Sequence, residues 1–319
     1  MKDTPLIQYG VAINPAEMVR PPDPDELEVD PKTPGIDDEE YMARRRWIFR
    51  LTRKHRLEHL GPPIFDYTPE ETALWKDVSG RLHELHEQHA CQMYLKAKHD
   101  LNITEDAIPQ MRHLSDHLRE VTQTHLVPAE GSLAYRTFYE YIAERGFPVT
   151  QFLRHPSHPE FTPEPDMIHD CLGHVPPFMN RDYAELITLI GKAAATTDDG
   201  EHVLMLKRFS WFSIEFGLIE EHGETKVFGA GILSSTGEIP NSLNSRDVTR
   251  RPFVTDVVVN TDYDPTYMQK DLFVIPSLPF LRAETEALVK QLGIAVDQGI
   301  STTSPPARVA SAGMIGSAE

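Results

Sequence analysis

The stretch from residue 68 to residue 98 commits this chain to helix before anything else about it is considered. Thr68 offers a side-chain oxygen to the first free backbone N–H groups. Pro69 stands at the first helical position, where a missing N–H costs nothing, and Glu71 completes a reciprocal capping box. Leu74, Trp75, Val78, Leu82 and Leu85 then recur at three- and four-residue spacing, one apolar face of a helix running toward Lys98. So apolar a face needs cover, and further helical patterns supply it. Met111, Leu114, Leu118 and Val121 form one, and Leu133, Phe138, Tyr141 and Ile142 another, up to a stop at Arg145-Gly146. Residues 182–195, 202–221 and 281–292 read as helices too. Only 226–233 and 254–259 read as strands. The expected fold is mainly α with a small β element.

Outside this body the composition changes. Residues 1–35 hold seven prolines and many acids, too little apolar material for a core, and read as an extended arm. Residues 297–319 are small and polar and read as a disordered tail. Residues 36–296 show no linker-like break and read as one domain. The chain carries 49 acidic against 31 basic side chains, a net charge of −18, and no basic run. That balance argues against nucleic acid and anionic membranes and leaves a small molecule as the expected partner. Cys91 and Cys171 are too few for a disulfide framework or a cysteine-rich zinc module. No apolar run of about 18 residues spans a bilayer, and MKDTPLIQYG lacks a signal-peptide core. The expected location is a reducing cytoplasm.

Fifteen histidines have to be sorted. His55 with His59, and His113 with His117, stand four apart, while His83, His86 and His89 fall near one stripe. All lie among charged neighbours and read as solvated helix faces. His155 and His158 sit between prolines and read as loop residues. The segment from Thr162 to Pro177 differs. Thr162 and Pro163 resemble a cap and first helical position, and five residues separate His169 from His174, about 140° apart on an ideal helix. They converge on one metal only if the helix ends between them, and Gly173 with Val-Pro-Pro offers such an end. The plainer alternative is a pair of core histidines. In SWFSIEFGLIEEH, Glu215 shares a helical face with Trp211, Phe212, Leu218 and Ile219. A carboxylate there needs a buried arginine or a cation. Two histidines and a carboxylate suit a non-haem Fe(II) triad, with zinc hydrolysis as competitor.

Four motifs, FPVTQFLRH, FTPEPDMIHDCLGHVPPF, WFSIEFGL and FGAGILSSTGE, stand in an order and spacing that closely resembles the pterin-dependent aromatic amino acid hydroxylases. The short bacterial phenylalanine hydroxylases are the most similar members. The resemblance runs from about Pro34 to about Leu292, through PGIDDEEYMARRR and HACQMYL. It implies the family's basket-like catalytic domain, here as a bare catalytic unit and a monomer. It also implies a monooxygenase that uses Fe(II), tetrahydropterin and O2 to convert L-phenylalanine to tyrosine.

By the same resemblance His169, His174 and Glu215 are the catalytic iron ligands, and Leu133, Phe138 and Asp170 contact the pterin, Phe138 by stacking. Arg154 clamps the amino acid carboxylate. Thr162 and Ser234 hold the substrate backbone, and Pro165, Trp211 and His169 wall its ring. Trp211 stands where tryptophan hydroxylases carry Phe. Pro265, loosely aligned, stands where tyrosine hydroxylases carry an acid, so both departures favour phenylalanine. Ser210 replaces the family's usual Tyr five positions before Glu215, which leaves meta hydroxylation open beside para. A zinc hydrolase and a silent binding protein on this fold are the readings from other classes, and intact His169, His174, Glu215 and Arg154 argue against silence.

Overall fold

Helix α1 (Glu39–Leu57) opens on the Asp38 cap, whose carboxylate accepts from the N–H groups of Glu40 and Tyr41. The computed structural model describes residues 6–8, 11–13, 29, 31, 33–131, 133–160, 164–265 and 267–296. Most of the arm, the 297–319 tail and Thr162 lie outside the described residues. Within the arm, β1 (Leu6–Gln8) pairs antiparallel with β2 (Val11–Ile13).

The capping box forms as its residues dictate: Thr68 Oγ1 accepts from Glu71 N–H, and the Glu71 carboxylate accepts from Thr68 N–H. The helix it starts, α2 (Pro69–His89), is shorter than expected. Ala90 turns extended and bridges Val227, and a separate α3 (Gln92–Asp100) follows. Next come α4 (Met111–Thr122), β3 (His125–Pro128), α5 (Tyr135–Ala143) and β4 (Gly146–Val149), with β3 and β4 parallel. Further helices are α7 (Arg181–Thr196), α8 (Gly200–Ser210) and α12 (Leu278–Gln291). Trp75, Leu82, Tyr94, Met111, Leu118, Leu126 and Met167 are buried in one shared core.

The α6 region departs most from expectation. The helix starts at Met167, not beside Thr162, and its cap is Asp166, whose side chain accepts from His169 N–H. It runs three residues as α6 (Met167–His169). It then widens into a first π-turn (Asp170–His174), instead of ending at Gly173, before a 3-10 turn over Pro176–Met179. A second π-turn (Trp211–Glu215) closes α8. The helix expected to reach residue 221 therefore stops at Glu215, and Leu218 and Ile219 belong to a strand.

A hairpin follows, β5 (Leu218–Glu221) and β6 (Glu224–Val227), turning on His222 and Gly223 with φ of 54° and 81°. Two left-handed residues make the tight turn that matches strand twist. Residues 226–233, expected as one strand, are split: Lys226 and Val227 end β6, and Ala230–Leu233 form α9. Helix α10 (Glu238–Asn244) comes next. The 254–259 run is α11 (Thr255–Val258), while the strands beside it are β7 (Thr249–Pro252) and β8 (Asp271–Ile275). The four strands lie in the order β6-β5-β8-β7. Among the described residues no helix is long and apolar enough to cross a membrane.

The histidine stripes also need correction. His113 and His117 are exposed, as expected, but His59 has left α1 with a left-handed backbone, so it shares no helical face with His55. His86 is fully buried, with Nε2 2.7 Å from the Leu233 carbonyl oxygen.

Glycine lets α9 press against both π-turns. A methyl group on Gly229 would sit 2.4 Å from the Glu215 carbonyl oxygen, and one on Gly173 2.7 Å from that of Ala230. Gly229→Ala should therefore destabilise the protein by about 1–3 kcal/mol in urea unfolding. Gly80→Ala, in the middle of α2 with nothing nearer than 4.0 Å, should be neutral or stabilising by up to about 1 kcal/mol. Equal effects at the two positions would refute the packing argument.

Candidate active site

A five-residue separation is awkward on an α-helix but natural on a π-turn, where the backbone hydrogen bond itself joins residues i and i+5. Val175 N–H donates to Asp170 at 3.0 Å and Phe216 N–H to Trp211 at 2.8 Å, the signature bond of each widened turn. The first turn brings His169 and His174 onto one side, with ring centroids 4.8 Å apart. The second delivers Glu215 to the same point. His174 Nε2 lies 3.0 Å from His169 Nε2 and 3.2 Å from Glu215 Oε1, and His169 Nε2 lies 3.8 Å from Glu215 Oε2.

Hydrogen bonding fixes which histidine nitrogens are free. Ser234 Oγ donates to the Ala230 carbonyl at 2.8 Å and lies 2.8 Å from His169 Nδ1. A hydroxyl has one proton to give, so His169 Nδ1–H is the donor and Nε2 keeps its lone pair. The three side chains are electrostatically coupled. Burial opposes charge on His174, yet Glu215 holds its pKa above the ordinary value. Burial likewise opposes charge on Glu215, and His174 keeps it below. His169 is pushed down to about 4, by burial first and by His174 second. Two donors about 2.1 Å from one ion and at right angles stand roughly 3 Å apart, so these separations suit a single first-row metal. Two imidazoles and one carboxylate are also the donor types of the non-haem Fe(II) triad.

Asp170 approaches the same histidines, with ligating atoms within 4.8 Å of theirs, but its carboxylate is engaged elsewhere. Asp170 Oδ2 accepts from Thr150 N–H and from Thr150 Oγ1, each at 2.7 Å. Burial pushes its carboxyl up to about 7 even so. Asp170 lines a small, partly open recess together with Leu133, Phe138, Pro165 and Thr150. All three residues expected at a pterin thus share one concavity. Ring contacts connect it to the histidine pair: Phe138 to Phe147 at 6.1 Å and Phe147 to His174 at 4.9 Å.

Arg154 is buried and already engaged. Its Nε and Nη2 grip Asp166 at 2.9 and 2.7 Å, and Nη1 donates to the Pro159 carbonyl at 3.2 Å. Of five guanidinium N–H groups, one on each terminal nitrogen is left for a further acceptor. The Trp211 indole donates to Gln269 Oε1 at 3.1 Å and is flanked by Tyr263, stacked at 4.2 Å, and Phe216 at 4.5 Å. Thr150, Asp166, Tyr263 and Gln269 escaped the sequence analysis. Only Asp166 carried a readable signal, an acid just ahead of an apolar helical start.

Residues 23–297 match the family model described as biopterin-dependent aromatic amino acid hydroxylase. The chain is 41% identical to a chloroplastic phenylalanine 4-monooxygenase of Pinus taeda, over 67% of this chain and 60% of that protein. It is 39% identical to the tyrosine 3-monooxygenase of Bos taurus, over 80% of this chain and 52% of that one. It therefore spans only about half to three fifths of these relatives. Among solved structures, Chromobacterium violaceum phenylalanine hydroxylase with bound oxidised Fe(III) superimposes with a TM-score of 0.68 and 32% identity, over 75% of this chain and 88% of that one. The same enzyme holding Fe(III) and oxidised 7,8-dihydrobiopterin gives 0.67 and 30%, over 80% and 96%.

His174→Ala and Glu215→Gln should each abolish stoichiometric binding of a divalent first-row metal, read by equilibrium dialysis of the metal-free protein with Co(II). Full occupancy in either variant would remove that residue from the ligand set.

Proposed function

The chain belongs to the biopterin-dependent aromatic amino acid hydroxylase family, and from that premise we propose that it hydroxylates the ring of L-phenylalanine to give tyrosine, with Fe(II), tetrahydropterin and O2. The observation that carries the reading is the convergence of His169, His174 and Glu215 beside the Phe138 recess. Both phenylalanine and tyrosine hydroxylases stand among the relatives. Trp211 and Pro265 favour phenylalanine over tryptophan and tyrosine. The zinc-hydrolase alternative draws on the same donor types, and family membership tells against it.

Iron and tetrahydropterin would supply the redox and oxygen-transfer chemistry. The protein's part is placement. His169 and His174 would present Nε2 and Glu215 its carboxylate, leaving coordination positions open. Ser234 holds the His169 ring in the required tautomer. Leu133 and Phe138 would flank the pterin, with Asp170 at its polar edge. The two unused N–H groups of Arg154 would take the substrate carboxylate, a planar match lysine lacks. Pro165 and Trp211 would wall the ring. No side chain has to exchange a proton with the substrate.

Incubating the Fe(II) protein with tetrahydropterin, O2 and each aromatic amino acid in turn should give tyrosine from phenylalanine as the fastest reaction. Faster turnover of tyrosine or tryptophan would reassign the substrate. Arg154→Lys loses the two-pronged contact, about 1.5–3 kcal/mol for a charge-assisted bond. It should raise the phenylalanine KM roughly 10- to 100-fold and leave the pterin KM nearly unchanged; equal shifts in both would make Arg154 a purely structural partner of Asp166. Ser210 carries a much smaller side chain than the family's usual Tyr and interacts with the Tyr139 hydroxyl, so the ring of a bound substrate would be less tightly confined on that side. A displacement of about 1 Å is enough to change a reaction's outcome. Some meta-tyrosine is therefore expected from the parent and less from Ser210→Tyr; pure para-tyrosine from both would exclude this role.

A further inference from the structure

Lys98 is turned into the protein, 5% exposed, and no carboxylate among the described residues lies within 4 Å of its ammonium. Its Nζ instead lies 3.1 Å from Nδ1 of the buried His86. The other His86 nitrogen faces the Leu233 carbonyl at 2.7 Å. A carbonyl only accepts, so Nε2 carries the proton, and burial, reinforced by Lys98, keeps the ring from taking a second one. His86 Nδ1 is therefore a bare lone pair.

Two donors are near that lone pair, Lys98 and the Tyr94 hydroxyl, the latter at 3.3 Å. Tyr94 has a better use for its single proton, the Leu172 carbonyl at 2.6 Å. Leu172 lies inside the first π-turn, between the two histidines. Its carbonyl finds no donor further along the backbone, because the residues four and five ahead are Pro176 and Pro177 and neither has an N–H. Val175, three ahead, donates to Asp170. Tyr94 thus caps a carbonyl that the turn's own sequence strands. His86 meanwhile braces Leu233, the residue before Ser234, which orients His169.

We infer that Lys98 is a positioning residue for the histidine ligands: by occupying His86 Nδ1 it leaves the Tyr94 proton on Leu172 and so holds the π-turn that carries His169 and His174. This rests on the proposed metal site. Without the lysine donor, the Tyr94 hydroxyl is drawn to His86, Leu172 loses its one side-chain donor among the described residues, and the turn slackens. Outer hydrogen bonds of this kind typically matter about 10- to 100-fold in metal affinity.

Metal-free protein titrated with Co(II), followed by the visible ligand-field bands, tests this without turnover. Lys98→Met and Tyr94→Phe should each weaken Co(II) binding about tenfold or more and alter the band pattern. The double variant should bind no more weakly than Tyr94→Phe alone, because both act through one hydrogen bond. Unchanged affinity and bands in Lys98→Met, even with a lowered unfolding midpoint, would overturn the inference, as would simple addition of the two losses. Tyr94→Phe leaves the buried lysine in place, so it reports on the Leu172 bond if Lys98→Met folds poorly. His174→Ala separates the premise: if that variant binds Co(II) as the parent does, the metal-site reading has failed, not the role of Lys98.

Discussion

Two imidazoles and a carboxylate are brought to one point where little water reaches, and much of the surrounding architecture serves that constraint. His174 is 1% exposed and Glu215 19%. A carboxylate so placed is costly unless a cation balances it. A straight α-helix points His169 and His174 in diverging directions; one widened turn removes that mismatch and a second brings Glu215 to them. Both turns need outside support because a π-turn is not a favoured local state. Gly173 and Gly229 admit α9 against them at distances no side chain would allow.

This is why the site was half legible in the sequence. The identities of His169, His174 and Glu215 stood out through resemblance and through the apolar setting of Glu215, but their geometry did not. Gly173 and the prolines after it look like a helix stop, and the wider turn is maintained by packing from α9, some 60 residues on. The same limit explains the overrun at 202–221. Apolar periodicity continues through Leu218 and Ile219, while the left-handed pair His222 and Gly223 marks a hairpin. Local chemistry was trustworthy where it was self-sufficient, as in the Thr68–Glu71 box.

His86 shows the opposite failure. Its neighbours in RLHELHEQH are charged, and its place on a stripe of histidines suggested a wet surface. The ring is buried because the carbonyl it braces belongs to α9 and the lysine it meets to α3. Neither partner is visible from the α2 pattern. Buried polar groups of this sort are satisfied by contacts distant in sequence.

Asp166 ties the parts together. Its Oδ1 accepts from Arg154 Nη2 at 2.7 Å and from His169 N–H at 3.0 Å, while its Oδ2 accepts from Arg154 Nε and backbone N–H, both at 2.9 Å. One buried carboxylate therefore caps the helix that begins the ligand turn and holds the guanidinium proposed to take the substrate. Four hydrogen bonds on one carboxylate fix the geometry of this pair, and loss of either partner would leave an uncompensated buried charge. Arg154 thus has a fixed position relative to His169 before any substrate arrives. A carboxylate bound by its remaining N–H groups would inherit that position, and whatever is attached to it would be placed with respect to His169 and His174 by the same Asp166 carboxylate that caps their turn.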